Sequence, residues 1–191
     1  MTTILFVRHS ISTGEPGDVG LSTDGRALAA RTASRLRDRG IRRIVSSPLR
    51  RSLETAEVFA GELDAPLEVD DRLRERDNWG DIAGETSEAF LARWRRCDDD
   101  RDHVPEHGRS ARQAGNDLAS FVRDVAHSGE GGAVVAISHG GVIVDFLLNS
   151  RSEAQLAALN PGYRDMPNCA LTQIDAAPDR YVIDMLAVPL T

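Results

Sequence analysis

The sequence contains no lysine, so all 23 of its basic residues are arginine. Acidic residues number 30, which leaves a net charge of -7 at pH 7. Because proteins that bind nucleic acid usually present a basic surface, this balance argues against a nucleic-acid partner. Any anion site in the chain must rely on arginine, which is the better bidentate partner for phosphate or carboxylate.

Cysteines and long apolar segments are also scarce. The two cysteines, Cys97 and Cys169, are far apart and form no CxxC pair, so we expect reduced structural thiols. No apolar stretch approaches the ~20 residues needed to span a bilayer. The N-terminal stretch MTTILFVRH has no basic n-region, and its apolar run is too short for a signal peptide. We therefore expect a cytoplasmic protein with no membrane partner.

Predicted strands and helices alternate along the chain. The length of 191 residues suits one domain, and no repeat or linker divides it, so we predict a single domain over residues 1–191. The strands are predicted in TILFVRH, IRRIVSS, PLEVDDRL and GAVVAISHGG, with a late edge hairpin formed by CALTQID and YVIDMLAVP. The helices are predicted at about 23–39, 48–63, 87–96, 111–127, 141–149 and 153–159. This alternation predicts an α/β fold with a mostly parallel sheet that is covered on both faces.

Arginine and histidine follow three of the predicted strands. The first strand ends in Arg8-His9, the second leads through SSP to Arg50, and a late strand ends in Ser138-His139. Ligand sites in such folds lie at the carboxyl ends of the strands. We therefore expect these two arginines and two histidines to meet at one edge of the sheet.

This combination of side chains suits an anion with several oxygens, and a phosphoryl group is the best candidate. Arginine supplies planar bidentate donors. The predicted helix start at Pro48 and the glycines after His139 can add backbone N–H groups. A metal site is the rival interpretation, but the adjacent arginines would repel a cation. The sequence therefore predicts neither a metal nor another cofactor.

Five segments carry a resemblance to a known family. In order they are FVRHS, LSTDGRALA, SSPLRRSLETA, RLRER and ISHGG. Together they resemble the histidine phosphatase superfamily, also called phosphoglycerate-mutase-like, over most of the chain. The resemblance implies a three-layer α/β/α sandwich with a small helical cap insertion at about 76–112.

The resemblance also implies roles for the residues at the sheet edge. His9, in the RH pair, corresponds to the nucleophile that accepts the phosphoryl group. Arg8 corresponds to a residue that binds the phosphoryl oxygens. We assign the arginine of the SSPLRRSLETA segment to Arg50, and the histidine before the two glycines to His139. Both would bind phosphate as well.

Glu75 of RLRER corresponds to the family's proton donor. From the sequence alone, an ion pair between Glu75 and Arg74 or Arg76 is the favoured interpretation. Asp77 and Asp81 are nearby competitors for the acid role. Only the resemblance favours Glu75 as the group that protonates the leaving alcohol and later deprotonates water.

The loop after His9 departs from the family pattern. Ser10 stands where glycine is common, Ile11 where glutamate is found, and Glu15 where many members have asparagine. A carboxylate near phosphate is unfavourable unless it turns away. Ser12 and Gly140 remain at positions that contact phosphate.

The resemblance implies a metal-independent phosphomonoester hydrolase of the histidine acid phosphatase type, acting on a small phosphorylated substrate. The alternatives are a phosphoglycerate-type mutase and a non-catalytic module that binds phosphorylated ligands. The chain is short between the second strand and the late histidine, which favours hydrolysis over the mutase. Trp79, Tyr163 and Arg164 are candidate substrate contacts, and the edge hairpin is a candidate surface for a homo-oligomer.

Overall fold

The computed structural model describes residues 1–129 and 131–190, which contain six strands and six α-helices. The strands are β1 (Thr2–Arg8), β2 (Ile41–Ser46), β3 (Leu67–Val69), β4 (Ala133–Ser138), β5 (Ala170–Ala177) and β6 (Arg180–Pro189). The helices are α1 (Thr23–Ser34), α2 (Arg50–Leu63), α3 (Ser87–Asp99), α4 (Ala111–Ser128), α5 (Gly140–Leu148) and α6 (Glu153–Leu159).

All six strands form one sheet in the order β3-β2-β4-β1-β5-β6. The pairings β1–β4, β2–β4 and β2–β3 are parallel, whereas β5 runs antiparallel to both β1 and β6. The predicted hairpin at the sheet edge is therefore confirmed as β5–β6. Because β1 and β4 are parallel neighbours, Arg8 lies beside Ser138 and both strands end at the same edge.

The apolar side chains of β1 point alternately to two separate cores. Ile4 and Phe6 pack with residues of α4, α5 and α6, whereas Leu5 and Val7 pack with residues of α1 and α2. A strand buried on both faces needs such a continuous apolar run. Full burial of each such side chain contributes about 1.5–3 kcal/mol. The predicted three-layer α/β/α architecture is confirmed, and β1 lies in its middle layer.

Helix α1 is shorter than predicted. Its N-cap is Ser22, and the Ser22 hydroxyl accepts a hydrogen bond from the backbone N–H of Gly25 at 3.0 Å. The regular helix ends at Ser34 and a 3₁₀ turn follows over Arg37–Arg39. Gly40, with φ 61°, then reverses the chain into β2.

Helix α2 begins at Arg50, two residues after the start predicted at Pro48. Ser47, which directly precedes the predicted start, is not the N-cap; its hydroxyl accepts from the backbone N–H of Leu49 at 3.3 Å and lies 2.8 Å from Nε2 of His139. The carboxylate of Asp18 accepts a hydrogen bond from the backbone N–H of Arg50 at 2.6 Å and so satisfies the helix start. The start of α2 is thus satisfied by Asp18, which is distant in the sequence, and not by the adjacent Ser47.

The segment predicted as a cap contains one helix, α3. Trp94 of α3 packs so closely on the start of α5 that a Cβ at Gly141 would lie 2.6 Å from its ring. Since α5 follows β4 directly, this contact holds α3 beside the carboxyl edge of the sheet. The only buried residue of α3 is Cys97, which is a free thiol like Cys169. Among the described residues, no helix combines the length and the apolar character that crossing a membrane requires.

Candidate active site

A cavity of about 440 Å³ opens where β1 and β4 end. Five of the predicted site residues line it: Arg8, His9, Ser12, Glu75 and Gly140. The other two, Arg50 and His139, are not part of the lining formed by the described residues. Side chains of α3 and of the loop before it also line the cavity, so the segment predicted as a cap (76–112), called the cap segment below, contributes directly to the site.

His9 is held as a neutral imidazole with one nitrogen available. Its Nδ1 lies 2.7 Å from the carbonyl oxygen of Ser10. A carbonyl can only accept, so Nδ1 carries the proton and Nε2 keeps its lone pair. The pKa of His9 is lowered to about 3, mainly by burial and in addition by the positive charges of Arg51 and Arg8. The available nitrogen is therefore unprotonated at neutral pH.

Two arginines lie beside that nitrogen. The Nε of Arg51 donates to Nε2 of His9 at 3.2 Å, and its Nη1 donates to the side-chain oxygen of Asn78 at 2.8 Å. Arg8 donates from Nη1 to the carbonyl oxygen of Met166, while its buried Nε has no partner among the described residues. Burial lowers the pKa of both guanidinium groups, although Glu75 opposes the effect.

Within the described part of the chain, neither Arg8 nor Arg51 forms an ion pair with a carboxylate. Arginine stays charged even when it is buried. Two cations without carboxylate partners therefore lie at this end of the cavity, together with the neutral ring of His9. We call this part, defined by Arg8, His9 and Arg51, the phosphoryl end.

The assignment of the second arginine to Arg50 is wrong, because the structure places Arg51 there. Arg50 is largely exposed, and its Nε pairs with Glu54 at 2.8 Å along the helix. Successive residues of an α-helix differ by about 100° in direction, so Arg50 and Arg51 cannot face the same site. The signal in the sequence was the spacing of Arg51 and Thr55, which lie one helical turn apart. Thr55 faces the site, because its hydroxyl accepts a hydrogen bond from the backbone N–H of Ser10 at 3.0 Å.

His139 lies behind His9 rather than on the cavity wall. The centres of the two rings are 5.1 Å apart, and His139 is almost completely buried. Its Nε2 lies 2.8 Å from the hydroxyl of Ser47 and 3.3 Å from that of Ser52, while its Nδ1 has no partner among the described residues. Burial lowers the pKa of His139 well below its usual value, and Arg51 adds to this effect.

Glu75 is the best placed acid in the cavity. Its Oε2 accepts a hydrogen bond from the backbone N–H of Gly141 at 3.0 Å, and its Oε1 accepts one from the backbone N–H of Arg76 at 3.1 Å. Burial raises the pKa of Glu75, although Arg76 and Arg51 oppose the rise. A carboxyl group with a raised pKa can carry a proton and donate it.

The two competing acids have other partners. Asp77 accepts a hydrogen bond from Arg93 of α3, and also one from the backbone N–H of Asn78 at 2.8 Å. Asp81 is exposed, lies 3.0 Å from the side-chain nitrogen of Asn78 and does not line the cavity. The geometry therefore favours Glu75 over both aspartates as the proton donor.

Ser10 has a structural reason to replace the common glycine. It is fully buried, and its hydroxyl donates to the carbonyl oxygen of Gly25 at 2.7 Å. Gly25 itself must lack a side chain, because a Cβ there would lie 2.0 Å from the carbonyl oxygen of Ile11. Glu15, the other departure of this loop, is exposed at the cavity rim.

The remaining part of the cavity is formed mainly by the cap segment, and we call it the cap end. Its apolar lining consists of Trp79, Phe90, Leu91, Trp94 and Val144. Arg76, Asp98, Asp145 and Arg164 line it as well. Tyr163, a candidate substrate contact, is buried and does not line the cavity, whereas Trp79 and Arg164 do.

Sequence reasoning missed the cluster around Arg76. This arginine is 2% exposed, lies over the ring of Trp94 at 3.8 Å and donates from Nη1 to both carboxylate oxygens of Asp145. Its Nη2 donates to Asp98 at 2.6 Å. Desolvation lowers the pKa of Arg76, but these carboxylates outweigh that effect and raise the pKa above its ordinary value. Burial raises the pKa of Asp145 to about 7, against the opposing effect of Arg76 and Arg101.

No group of three or more His, Cys, Asp or Glu side chains within residues 1–129 and 131–190 is arranged to hold a metal ion. The positive charge at the phosphoryl end comes from arginine instead. The arrangement can therefore bind an anion and bring it against a neutral imidazole nitrogen.

Comparison with known proteins places these features in a family. Residues 4–189 match the sequence profile of the histidine phosphatase superfamily (branch 1). "Phosphoglycerate mutase-like protein 4" of Arabidopsis thaliana is 31% identical over 147 residues, which cover 72% of this chain and 63% of that protein. The chain thus spans less than two thirds of that relative's length.

Solved structures resemble the fold over nearly the whole chain. Mycobacterial glucosyl-3-phosphoglycerate phosphatase in complex with inorganic phosphate matches with a TM-score of 0.75 at 24% identity, covering 98% of each chain. A phosphoserine phosphatase mutant from Entamoeba histolytica matches with a TM-score of 0.75 at 21% identity, covering 100% of this chain and 98% of the other. At such identities these matches show a shared fold.

Proposed function

Because the chain belongs to the histidine phosphatase superfamily, we propose that it is a phosphomonoester hydrolase that works through a phosphohistidine on His9. The observation that carries this proposal is the state of His9. Its Nδ1–H is held by a carbonyl, its Nε2 is unprotonated, and Arg51 reaches that nitrogen at 3.2 Å. No metal takes part in the proposed reaction, and the histidine acid phosphatase type remains a prediction from the family resemblance.

In the first step, the lone pair on Nε2 of His9 attacks the phosphorus atom and the bond to the ester oxygen breaks. Positive charge develops on the ring as the P–N bond forms. The carbonyl of Ser10, which accepts from Nδ1–H at 2.7 Å, stabilises that charge and holds the ring in position. Neutral imidazole needs no separate base for this attack.

The two arginines of the phosphoryl end bind the three non-bridging oxygens, which stay on the phosphorus atom as it moves to His9. Negative charge in the transition state lies on these oxygens, and donors arranged beforehand stabilise it without reorganisation. Arg51 reaches the attacking nitrogen, so its guanidinium lies within range of a phosphoryl group bound there. The hydroxyl of Ser12, which lines the cavity, supplies a further contact to the oxygens.

Glu75 donates its proton to the leaving alkoxide in the first step. In the second step it accepts a proton from the water that attacks the phosphohistidine. The P–N bond then breaks, inorganic phosphate leaves, and His9 returns to its neutral form. The raised pKa of Glu75 favours the protonated carboxyl group that the first step requires.

The test is hydrolysis of p-nitrophenyl phosphate by the purified chain and by two histidine variants. We expect His9→Ala to abolish phosphate release, because it removes the nucleophile. The control is His127→Ala, since His127 is exposed on α4 and outside the cavity. Wild-type turnover by the His9 variant would contradict the mechanism.

A mutase is the second candidate, and the name of the Arabidopsis relative favours it. Incubation with 3-phosphoglycerate separates the two functions. Free phosphate as the product agrees with hydrolysis. Formation of 2-phosphoglycerate, with the phosphoryl group returned to the bound acid, would overturn our choice.

A further inference from the structure

The cap end offers an apolar, aromatic surface to whatever carries the phosphoryl group. Phe90 and Leu91 lie on the first half of α3, and Leu91 is 45% exposed. Trp94 lies one turn further on, with its ring centre 5.8 Å from that of Phe90. These residues line the same cavity as His9, so the alcohol group of an ester whose phosphorus is at His9 can contact them.

The buried cation of this region is already neutralised. Arg76 donates to Asp145 at 3.0 Å and to Asp98 at 2.6 Å, and one face of its guanidinium is covered by Trp94. Asp145 accepts a further hydrogen bond from Arg101 at 3.2 Å. Arg76 therefore has two carboxylates and an aromatic ring as partners, and a ligand carboxylate would have to displace one of them.

The cavity rim is no better suited to a second anion. Arg164 is half exposed and pairs with Glu153 at 2.6 Å. Glu15, at the same rim, forms no ion pair among the described residues. Asp77 adds another carboxylate to the lining, with Arg93 as its partner. An anionic substituent would thus meet more carboxylates than available cations.

We propose that the cap end selects phosphomonoesters of uncharged, apolar alcohols, such as aryl or arylalkyl esters, and rejects esters that carry a second anionic group. This inference rests on the proposed phosphatase function and narrows its substrate class. An apolar ring gains by leaving water against Phe90, Leu91 and Trp94. A carboxylate in the same place would lose its hydration and face Asp98 and Asp145 without an available cation.

The experiment compares two esters that differ by one charge, phenyl phosphate and carboxyphenyl phosphate, in its meta and para isomers. We expect kcat/KM to be at least about tenfold higher for phenyl phosphate, since like charges brought together at a recognition site are strongly disfavoured. Equal or higher kcat/KM for a carboxylated ester would overturn the inference.

A pair of variants tests whether the cap end causes the preference. Leu91→Arg places an unpaired cation at an exposed position in the lining, and Leu91→Gln is the uncharged control. We expect Leu91→Arg to lower the preference for phenyl phosphate at least about threefold more than Leu91→Gln, which removes the same apolar contact without adding a charge. An unchanged ratio in a folded Leu91→Arg variant would contradict the assignment.

Measuring how tightly the His9→Ala variant binds the two esters separates this test from the test of the proposed function. If wild-type protein hydrolyses neither ester, the hydrolase proposal fails, and calorimetry with the His9→Ala variant still ranks the two esters by affinity. Tighter binding of phenyl phosphate supports an apolar cap end. Equal or tighter binding of a carboxylated ester overturns the inference whatever the outcome for hydrolysis.

Discussion

The two ends of the cavity use arginine in opposite ways. At the phosphoryl end, Arg8 and Arg51 are partly buried without carboxylate partners in the described chain, and desolvation lowers their pKa values. At the cap end, Arg76 and Arg93 are paired with carboxylates, which raise their pKa values against the effect of desolvation. The difference shows that the partners of an arginine, rather than its presence in a cavity, decide whether it can receive an anion.

The physical cause is the cost of burying charge. An unpaired buried cation is unfavourable, and an arriving phosphoryl group relieves part of that cost. A paired cation is already satisfied, so a ligand that takes its carboxylate gains little. The arginines of the phosphoryl end can therefore bind the phosphoryl group. At the cap end, Arg76 is held by hydrogen bonds to Asp98 and Asp145, and it supports the apolar lining.

Glu75 lies at the junction of the two ends, and after that of His9 its replacement has the largest expected effect. Glu75→Gln cannot donate a proton, so hydrolysis of an alkyl phosphate should fall by about 10²–10⁴, the usual contribution of a general acid. The loss in kcat/KM, which reports the first step, should be far smaller with p-nitrophenyl phosphate, whose leaving group needs no proton. Steady-state kinetics with both esters measures this difference, and equal losses would contradict the acid role.

The same residue determines the expected pH dependence. The reaction needs neutral His9, whose pKa is about 3, and protonated Glu75, whose pKa is raised above the ordinary 4.5. With an alkyl phosphate, kcat/KM should therefore be high on the acid side and fall as pH rises through the pKa of Glu75. A profile of kcat/KM that rises steadily from acid to neutral pH would contradict this assignment.

The pair Arg50 and Arg51 tests the phosphoryl end itself. Arg51→Gln removes a donor aimed at the phosphoryl oxygens, so kcat/KM for p-nitrophenyl phosphate should fall by about 10²–10³. Arg50→Gln removes an exposed pair with Glu54 and should cost less than about threefold, since such pairs contribute little. If the Arg50 variant showed the larger loss, the geometry of α2 described above would be wrong.

The smallest of these effects is expected at the glycines that begin α5. A Cβ at Gly141 would lie 2.6 Å from the ring of Trp94 and 2.7 Å from Oε1 of Glu75, whereas one at Gly140 would meet no atom closer than 3.6 Å. Gly141→Ala should displace the acid and the cap helix together and lower kcat/KM about tenfold, since small misplacements in a site are costly. Gly140→Ala is the matched control and should stay near wild type.

The sequence was a good guide where structure is determined locally. The apolar run of β1 predicted a buried strand, and its end delivered Arg8 and His9 to the cavity. The start of α2 was misjudged, because Ser47 contacts His139, 92 residues away, instead of capping the helix. Helix α2 therefore begins two residues later than predicted. On the same helix, Arg51 and not the predicted Arg50 lines the cavity.

The cap end could not be predicted in the same way. Arg76 and Asp145 are 69 residues apart, and no periodic pattern links them. Adjacent arginines in the sequence look alike, and only the folded chain shows which of them have carboxylate partners. Pairing over such distances depends on how α3 and α5 pack, which local propensities do not determine.

The central claim is that His9 carries the phosphoryl group during turnover. Its most direct test is to mix the protein with p-nitrophenyl phosphate, stop the reaction rapidly under alkaline conditions that preserve phosphohistidine, and analyse the peptides by mass spectrometry. We predict one added phosphoryl group on the peptide that contains His9, and none in the His9→Ala variant. A phosphoryl group on another residue during normal turnover would contradict the account.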